Sequence, residues 1–442
     1  MTKPTSSARP IPVPTGRVSR MARFGGLATQ VAGSVALQGA REIARGNRPE
    51  LRRLMLTPTN VQRLTNQLAR MRGAAMKMGQ LLSMDSGDIL PPELTDILAR
   101  LRQDAHFMPP KQLRQVLDAN WGVNWRRGFA RFDVRPIAAA SIGQVHRARL
   151  HDGQDVAIKV QYPGVARSID SDVANLGSLL RASQLLPKGF EIGPYLDEAR
   201  AQLHEETDYA REAAHLTRFG AHLAQDQRFH VPSVIAEWST PQILCMSFAK
   251  GRPIEDLISA PETVRHDVAR NMFDLMLREI FDIGETQSDP NFANYLYDPD
   301  SGQIVLLDFG ATRSLAPDLV NAYRDLLRAG LCGDGNAMAG AAERIGFVST
   351  QTEPSHRDRI IAMMDRAFAV VRAGPEYDFA DPTLSEFMQA ESMALWDDGF
   401  VPPPLPMDAL YLQRKLGGII LLATRLKVSL PLQDMLAPYL AR

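Results

Sequence analysis

Two cysteines, Cys245 and Cys332, are all that 442 residues contain. Two thiols exclude a disulfide framework and a cysteine-rich zinc site, and they fit a reducing compartment. Net charge is also missing: fifty basic and fifty acidic side chains cancel, so no global field recommends nucleic acid as a partner. No run of about 18 apolar residues occurs, which excludes a conventional membrane span. The greasiest window, Leu416 to Ala423, is far too short and reads as a buried helix. The first residues lack the apolar core and cleavage pattern of a secretory signal. Lysine is scarce, with eight against forty-two arginines. That bias suggests a GC-rich, bacterial genome, and it makes each lysine worth inspecting. The expected location is cytoplasmic, peripheral on the inner membrane at most, or the mitochondrial matrix for a eukaryotic source.

What is present is ordinary in bulk, with 45% hydrophobic and 23% charged residues, enough for one large or two ordinary domains. Residues 1–17 are rich in Pro, Ser, Thr and Gly and read as a disordered basic arm; residues 1–41 carry six basic groups and no acid. Over 18–48, Val18, Met21, Phe24, Leu27, Val31 and Val35 form one helical stripe, and Ala28, Ala32, Ala36 and Ala40 a row of small residues. This amphipathic helix either packs on the rest of the protein or lies on an anionic membrane or a second copy, as in a homodimer. Residues 49–130 read as helical, broken at Pro91-Pro92 and Pro109-Pro110. Residues 131–250 hold a hairpin around Gly153, then long helices from about Asp170 to Ala224, then short strands. Residues 251–442 are mainly helical apart from short strands near 295–308. The fold class is α+β, two-lobed, with no internal repeat.

Two acidic motifs carry the chemistry. Gln287-Ser288-Asp289-Pro290-Asn291-Phe292-Ala293-Asn294 precedes Leu306-Leu307-Asp308-Phe309-Gly310, with about 19 residues between the aspartates. Asp, then Asn five residues on, then Asp-Phe-Gly after an apolar strand is the metal and phosphate end of a protein-kinase-like site. Asn294 and Asp308 would give oxygens to Mg²⁺, and Asp289 would sit near the transferred phosphoryl group. A surface Asp-Pro-Asn alone is usually only a turn; the ordered pair makes ATP the first ligand to consider. Val156-Ala157-Ile158-Lys159 has the form of the kinase strand whose lysine reaches ATP phosphates. Its carboxylate partner is expected on the following long helix, where Glu206, Asp208 and Glu212 cluster. The loop Ala138-Ala139-Ala140-Ser141 stands where a kinase carries glycines, and alanine there restricts φ and adds a methyl group. His356-Arg357-Asp358 spells the kinase tripeptide but follows Asp308 and has Met363 five residues on, so it reads as helix surface.

Together these segments resemble the UbiB/COQ/ADCK family of atypical kinases, linked to ubiquinone (coenzyme Q) biosynthesis. The likeness runs from about Phe24 to the C-terminus. It includes Lys77-Met78-Gly79-Gln80 as KxGQ, Ala138–Ser141 as the alanine-rich loop and Glu206-Thr207-Asp208 as ExD. Val401-Pro402-Pro403-Pro404 and Arg414-Lys415-Leu416-Gly417-Gly418 are similar to its C-terminal region. Gln-Ser-Asp-Pro-Asn-Phe-Ala-Asn is closest in form to the mitochondrial COQ/ADCK branch. The resemblance implies a two-lobed protein-kinase-like fold with an N-terminal helical KxGQ extension over 49–130, an N-lobe over 131–250 and a helix-rich C-lobe over 251–442. It implies that Lys159 contacts the α/β-phosphates and pairs with Glu212. Lys77 would pair with Glu206, laying the KxGQ helix across the place where a peptide would dock. Asp308 and Asn294 would hold Mg²⁺, Asp289 would act in the catalytic loop, and Met246–Lys250, including Phe248, would meet adenine.

Three functions remain open on the sequence. One is an ATP-hydrolysing atypical kinase supporting quinone synthesis, with a lipid or quinone intermediate, an anionic membrane surface and ubiquinone-biosynthesis proteins as partners. The second is a true kinase for a protein or small molecule. The third is a non-catalytic ATP-binding scaffold. The lack of Ala-Pro-Glu and of a long activation segment after Asp308 counts against a protein kinase. The retained Lys159, Asp289, Asn294 and Asp308 count against a dead scaffold.

Overall fold

The structure, a computed structural model, describes residues 73–75, 77–79, 107–183, 192–289, 291–403 and 405–440. The 1–17 arm, the 18–48 helix, most of the 49–106 stretch, and Gln80 lie outside the described residues. The chain divides into two compact units. The first runs to Gly220 and includes Pro232–Ala249; the second comprises Ala221–Val231 and everything from Lys250.

The first unit is built on an antiparallel sheet in which Phe129–Phe132, Gly143–Leu150, Asp155–Gln161 and Ile243–Ser247 lie side by side. Ala138–Ala139 adds a short fifth strand against Val145 and Gln144. The central hairpin turns at Gly153, whose φ of 90° is open to glycine at no steric cost. Side chains alternate along the Lys159 strand. Val156, Ile158 and Val160 are fully buried on one face, against Trp125, Phe129 and their aromatic neighbours. Phe129 lies 4.5 Å from Trp238 and Trp125 lies 4.9 Å from Phe132, ring to ring. Gly128 permits that packing, because a Cβ there would stand 2.0 Å from the Trp238 ring. Period two turns Lys159 to the opposite face, toward the helix Tyr209–Leu223.

His146 sits in the same sheet, fully buried between Gln144 and Phe132. Its Nδ1–H donates to the Asp133 carbonyl at 2.9 Å, and its Nε2 accepts from Gln144 Nε2 at 2.8 Å. A proton on Nε2 would face that amide N–H. Burial pulls the imidazole down to about 4 against the opposing pull of Asp133. The unfolded chain, with an ordinary histidine near 6.5, therefore takes up a proton the folded chain refuses. Stability from this group is complete above pH 6.5 and is lost as pH falls toward 4, by about 3 kcal/mol in total. Urea titrations at pH 7 and pH 4.5 will show a smaller pH difference for His146→Phe than for the unaltered chain. An equal difference in the two would dispose of this assignment.

The second unit pairs Phe229–His230, Gln303–Leu306, Tyr295–Asp298 and Arg252–Pro253 in one sheet, and Glu285–Gln287 with Thr312–Ser314 in a two-stranded ladder. The helix Glu262–Arg278 runs into a π-helical turn, Glu279–Ile283, which ends at Gly284 with φ 70°. After Ser314 come helices Pro317–Cys332, Gly335–Ile345, Pro354–Ala373, Thr383–Asp397, Met407–Leu426 and Leu432–Leu440. His356-Arg357-Asp358 falls on the partly exposed first turns of Pro354–Ala373. The Leu416–Ala423 window does not form a wholly buried helix. Ile419, Leu422 and Ala423 are buried, but Leu416, Ile420 and Leu421 are about 40% exposed. A 3.6-residue period cannot turn eight consecutive residues, six of them with apolar side chains, onto one face.

Candidate active site

In the first unit, Lys159 and Glu212 form a buried ion pair. Lys159 Nζ lies 2.7 Å and 2.9 Å from the two carboxylate oxygens, with both residues under 5% exposed. The ammonium also stands 5.2 Å from the centre of the Tyr209 ring. Glu212 is in the first turn of Tyr209–Leu223, where an acid is favoured by the helix dipole. Asp208 caps that helix, accepting the Arg211 N–H at 2.9 Å, and its side chain is exposed. Its conformational role is thus to start the helix that aims Glu212.

Lys77, 4% exposed, pairs with Glu206 at the end of Gly193–Glu206. Glu206 accepts a second bond from the Ser141 hydroxyl. The alanine-rich segment is folded back on itself, with the Ala140 N–H donating to the Gly143 carbonyl at 2.8 Å. Gly143 has no room for a side chain: a Cβ would lie 2.5 Å from the Val160 carbonyl. Met246 is buried in the sheet beside Ala157. The Phe248 N–H donates to the Asp155 carbonyl at 2.9 Å, so that amide is engaged within the sheet edge.

In the second unit, the two acidic motifs are held in register. The Leu307 N–H donates to the Asn294 carbonyl at 2.9 Å, and the Ser288 N–H and hydroxyl donate to the Ala311 carbonyl at 3.1 and 2.6 Å. Asn294, 2% exposed, donates its amide to Asp289 at 3.3 Å. Asp308 Oδ1 accepts the Gly310 N–H at 3.0 Å, and the Gln287 side chain donates to the Asp308 carbonyl. Phe309 is buried beneath. The neighbouring Tyr295 phenol is pushed well above its usual range by burial and by the negative charges of Glu279, Asp289 and Asp308.

A surplus of negative charge around hard oxygen donors suits a hard cation. Among the described residues no group of three His, Cys, Asp or Glu side chains is placed to hold a metal ion by itself. A cation held by Asp308 and Asn294 would keep most positions for phosphate oxygens and water, as Mg²⁺ does.

The helix Met407–Leu426 supplies two residues to which the sequence assigned no role. Arg414 reaches Asp289 at 3.3 Å, and Lys415 makes a fully buried pair with Glu279. Lysine scarcity was the available signal, because Lys77, Lys159 and Lys415 are the lysines found buried among the described residues.

A model of the ABC1 atypical kinase-like domain matches residues 100–342, more than half of the chain. The chain belongs to the ABC1 atypical kinase-like family. It is 39% identical over 421 residues to the mitochondrial atypical kinase COQ8 of Saccharomyces cerevisiae, covering 94% of this chain and 83% of that one. The mitochondrial atypical kinase COQ8B of Rattus norvegicus is 36% identical over 429 residues, covering 96% and 80%. The solved Rv3197–erythromycin complex from Mycobacterium tuberculosis shares the fold with a TM-score of 0.61, at 24% identity, over 87% of this chain and 97% of that one. The fold is therefore α+β and kinase-like, and the ABC1 membership places the chain in a phosphoryl-transfer family. Arg414 and Lys415 lie beyond the matched ABC1 segment.

Proposed function

We propose that this chain is a Mg²⁺-dependent atypical kinase that hydrolyses ATP and supports ubiquinone biosynthesis at an anionic membrane surface. The observation that carries the reading is the shortness of the path from Asp308 to Pro317. Gly310 leads at once into Thr312–Ser314, which pairs with Glu285–Gln287, and the next helix begins at Pro317. A protein kinase uses this part of the chain as a long activation segment that docks a peptide; eight residues, tied into a ladder, leave no such platform.

In this reading Lys159, fixed by Glu212, contacts the α/β-phosphates, and Asp308 with Asn294 holds Mg²⁺, which neutralises phosphate charge. Asp289 orients the attacking water or lipid hydroxyl. Lys77 and Glu206 keep the KxGQ segment against the alanine-rich loop, excluding a peptide acceptor. The relatives' names, mitochondrial atypical kinases of the COQ8 group, support the link to quinone synthesis.

ATP hydrolysis by the purified protein, with and without anionic liposomes and quinone-precursor analogues, tests the proposal. Stimulation by both is expected. Phosphate incorporation into an added protein, with no hydrolysis, would overturn it.

The loop gives a second handle. Replacing Ala138, Ala139 and Ala140 by glycine frees φ at three positions of a folded-back segment in which Ala139 and Ala140 are buried. Nucleotide affinity is expected to change by about tenfold, because each such glycine adds roughly 0.5–1 kcal/mol of backbone entropy to be lost on ordering. Isothermal titration with MgATP measures it, and an unchanged affinity would detach the loop from the nucleotide.

A further inference from the structure

We propose that Lys415 is a positioning residue that, through Glu279, fixes the strand leading into Asp289 and the main chain of Asp308. The proposal rests on the reading of Asp308 and Asn294 as Mg²⁺ ligands. Glu279 opens the π-helical turn Glu279–Ile283, an insertion of the kind that gathers at functional sites because it re-aims a side chain. It is 1% exposed, and its Oε2 accepts from three donors: Lys415 Nζ, Thr286 Oγ1 at 2.8 Å and the Gln287 N–H at 3.3 Å. Gln287 then spends its own amide on the Asp308 carbonyl, and Ser288 ties down Ala311. One buried carboxylate thus anchors the strand from which both acidic motifs are held.

Packing does not call for charge at this place. A buried ion pair replaced by apolar groups of similar volume is often neutral or stabilising, so its presence needs another reason. A carboxylate gives what an apolar group cannot, a strong acceptor that orients two donors of one strand at once. Its partner is a compact cation, lysine, in a chain that otherwise uses arginine forty-two times to eight. Glu279 Oε1 and Gln287 Oε1 are left buried without partners, a cost accepted around the fixed bonds.

The double variant Lys415→Met, Glu279→Gln removes both charges together and avoids stranding one. Two readouts are taken on the full chain. Amide hydrogen exchange without ligand is expected to speed about tenfold over 285–289 and 308–312, with the rest of the chain unchanged. The Mg²⁺ concentration needed for half-maximal ATP binding is expected to rise about tenfold, as loss of groups that orient metal ligands does, while affinity for metal-free ATP stays the same. Unchanged exchange in those two segments overturns the proposal. A variant that fails to fold moves the test to Thr286→Val, which keeps both charges and removes one donor; roughly threefold faster exchange is expected there, the worth of one hydrogen bond, and an unchanged rate again overturns it. If the unaltered protein binds ATP with no dependence on Mg²⁺, the metal reading fails, and the exchange measurement alone decides the role of Lys415.

Discussion

Asp308→Asn will cost the protein its Mg²⁺-dependent ATP turnover, by about three orders of magnitude. A metal ion at a reacting phosphate contributes several kcal/mol to the transition state, and each 1.36 kcal/mol is about tenfold in rate. The substitution keeps the size and the Oδ1 acceptor that the Gly310 N–H uses, so the local turn survives. What it removes is one negative charge from a set whose field already lifts the Tyr295 phenol. The variant should therefore melt at or above the temperature of the unaltered chain. Colorimetric phosphate release over a Mg²⁺ series, run beside thermal melts, separates charge from fold. Turnover within tenfold of the unaltered protein would end the assignment of Asp308 to the metal.

Glu212→Gln should lower stability by about 3–5 kcal/mol, because it leaves the Lys159 ammonium buried without its anion. The lysine sits on the face opposite Val156, Ile158 and Val160 of a central strand and is 4% exposed, so its ammonium relies on Glu212 rather than on water. Lys159→Met combined with Glu212→Leu should recover most of that loss, since no charge remains to be stranded. It should not recover nucleotide binding. Denaturant unfolding of the three variants reads the first effect, and MgATP titration the second. A double variant that binds MgATP as tightly as the unaltered chain would show that Lys159 is structural only.

The two acidic motifs and the Lys159 strand were legible because each is local. Five residues separate Asp289 from Asn294, and a period of two sets which face of a strand Lys159 occupies. Pairings across distance that the family resemblance did not supply were not legible. Ser141 meets Glu206 across 65 positions, Arg414 meets Asp289 across 125, and Lys415 meets Glu279 across 136. Spacing carries no information about which distant acid a base will find; that is decided by packing. Asp208 was read as chemistry because it sits in ExD, yet Asp ahead of a helical stretch is also an N-cap signal, and the structure uses it so. The Leu416–Ala423 window failed for a different reason. Hydropathy averages over a helix and loses its sidedness, so three exposed apolar residues counted as buried ones.

The place of Arg414 and Lys415 bears on how far the chain can be trimmed. A piece ending at residue 342, where the ABC1 match stops, keeps both acidic motifs intact. It loses the two counter-cations of Asp289 and Glu279, which arrive on the helix Met407–Leu426. Such a piece would leave both carboxylates without their cations and would uncover the face of Glu262–Arg278 on which Met407–Leu426 packs. The domain outlined by family likeness is therefore smaller than the unit able to hold its own charges, and the last helices belong to the site as much as the motifs do.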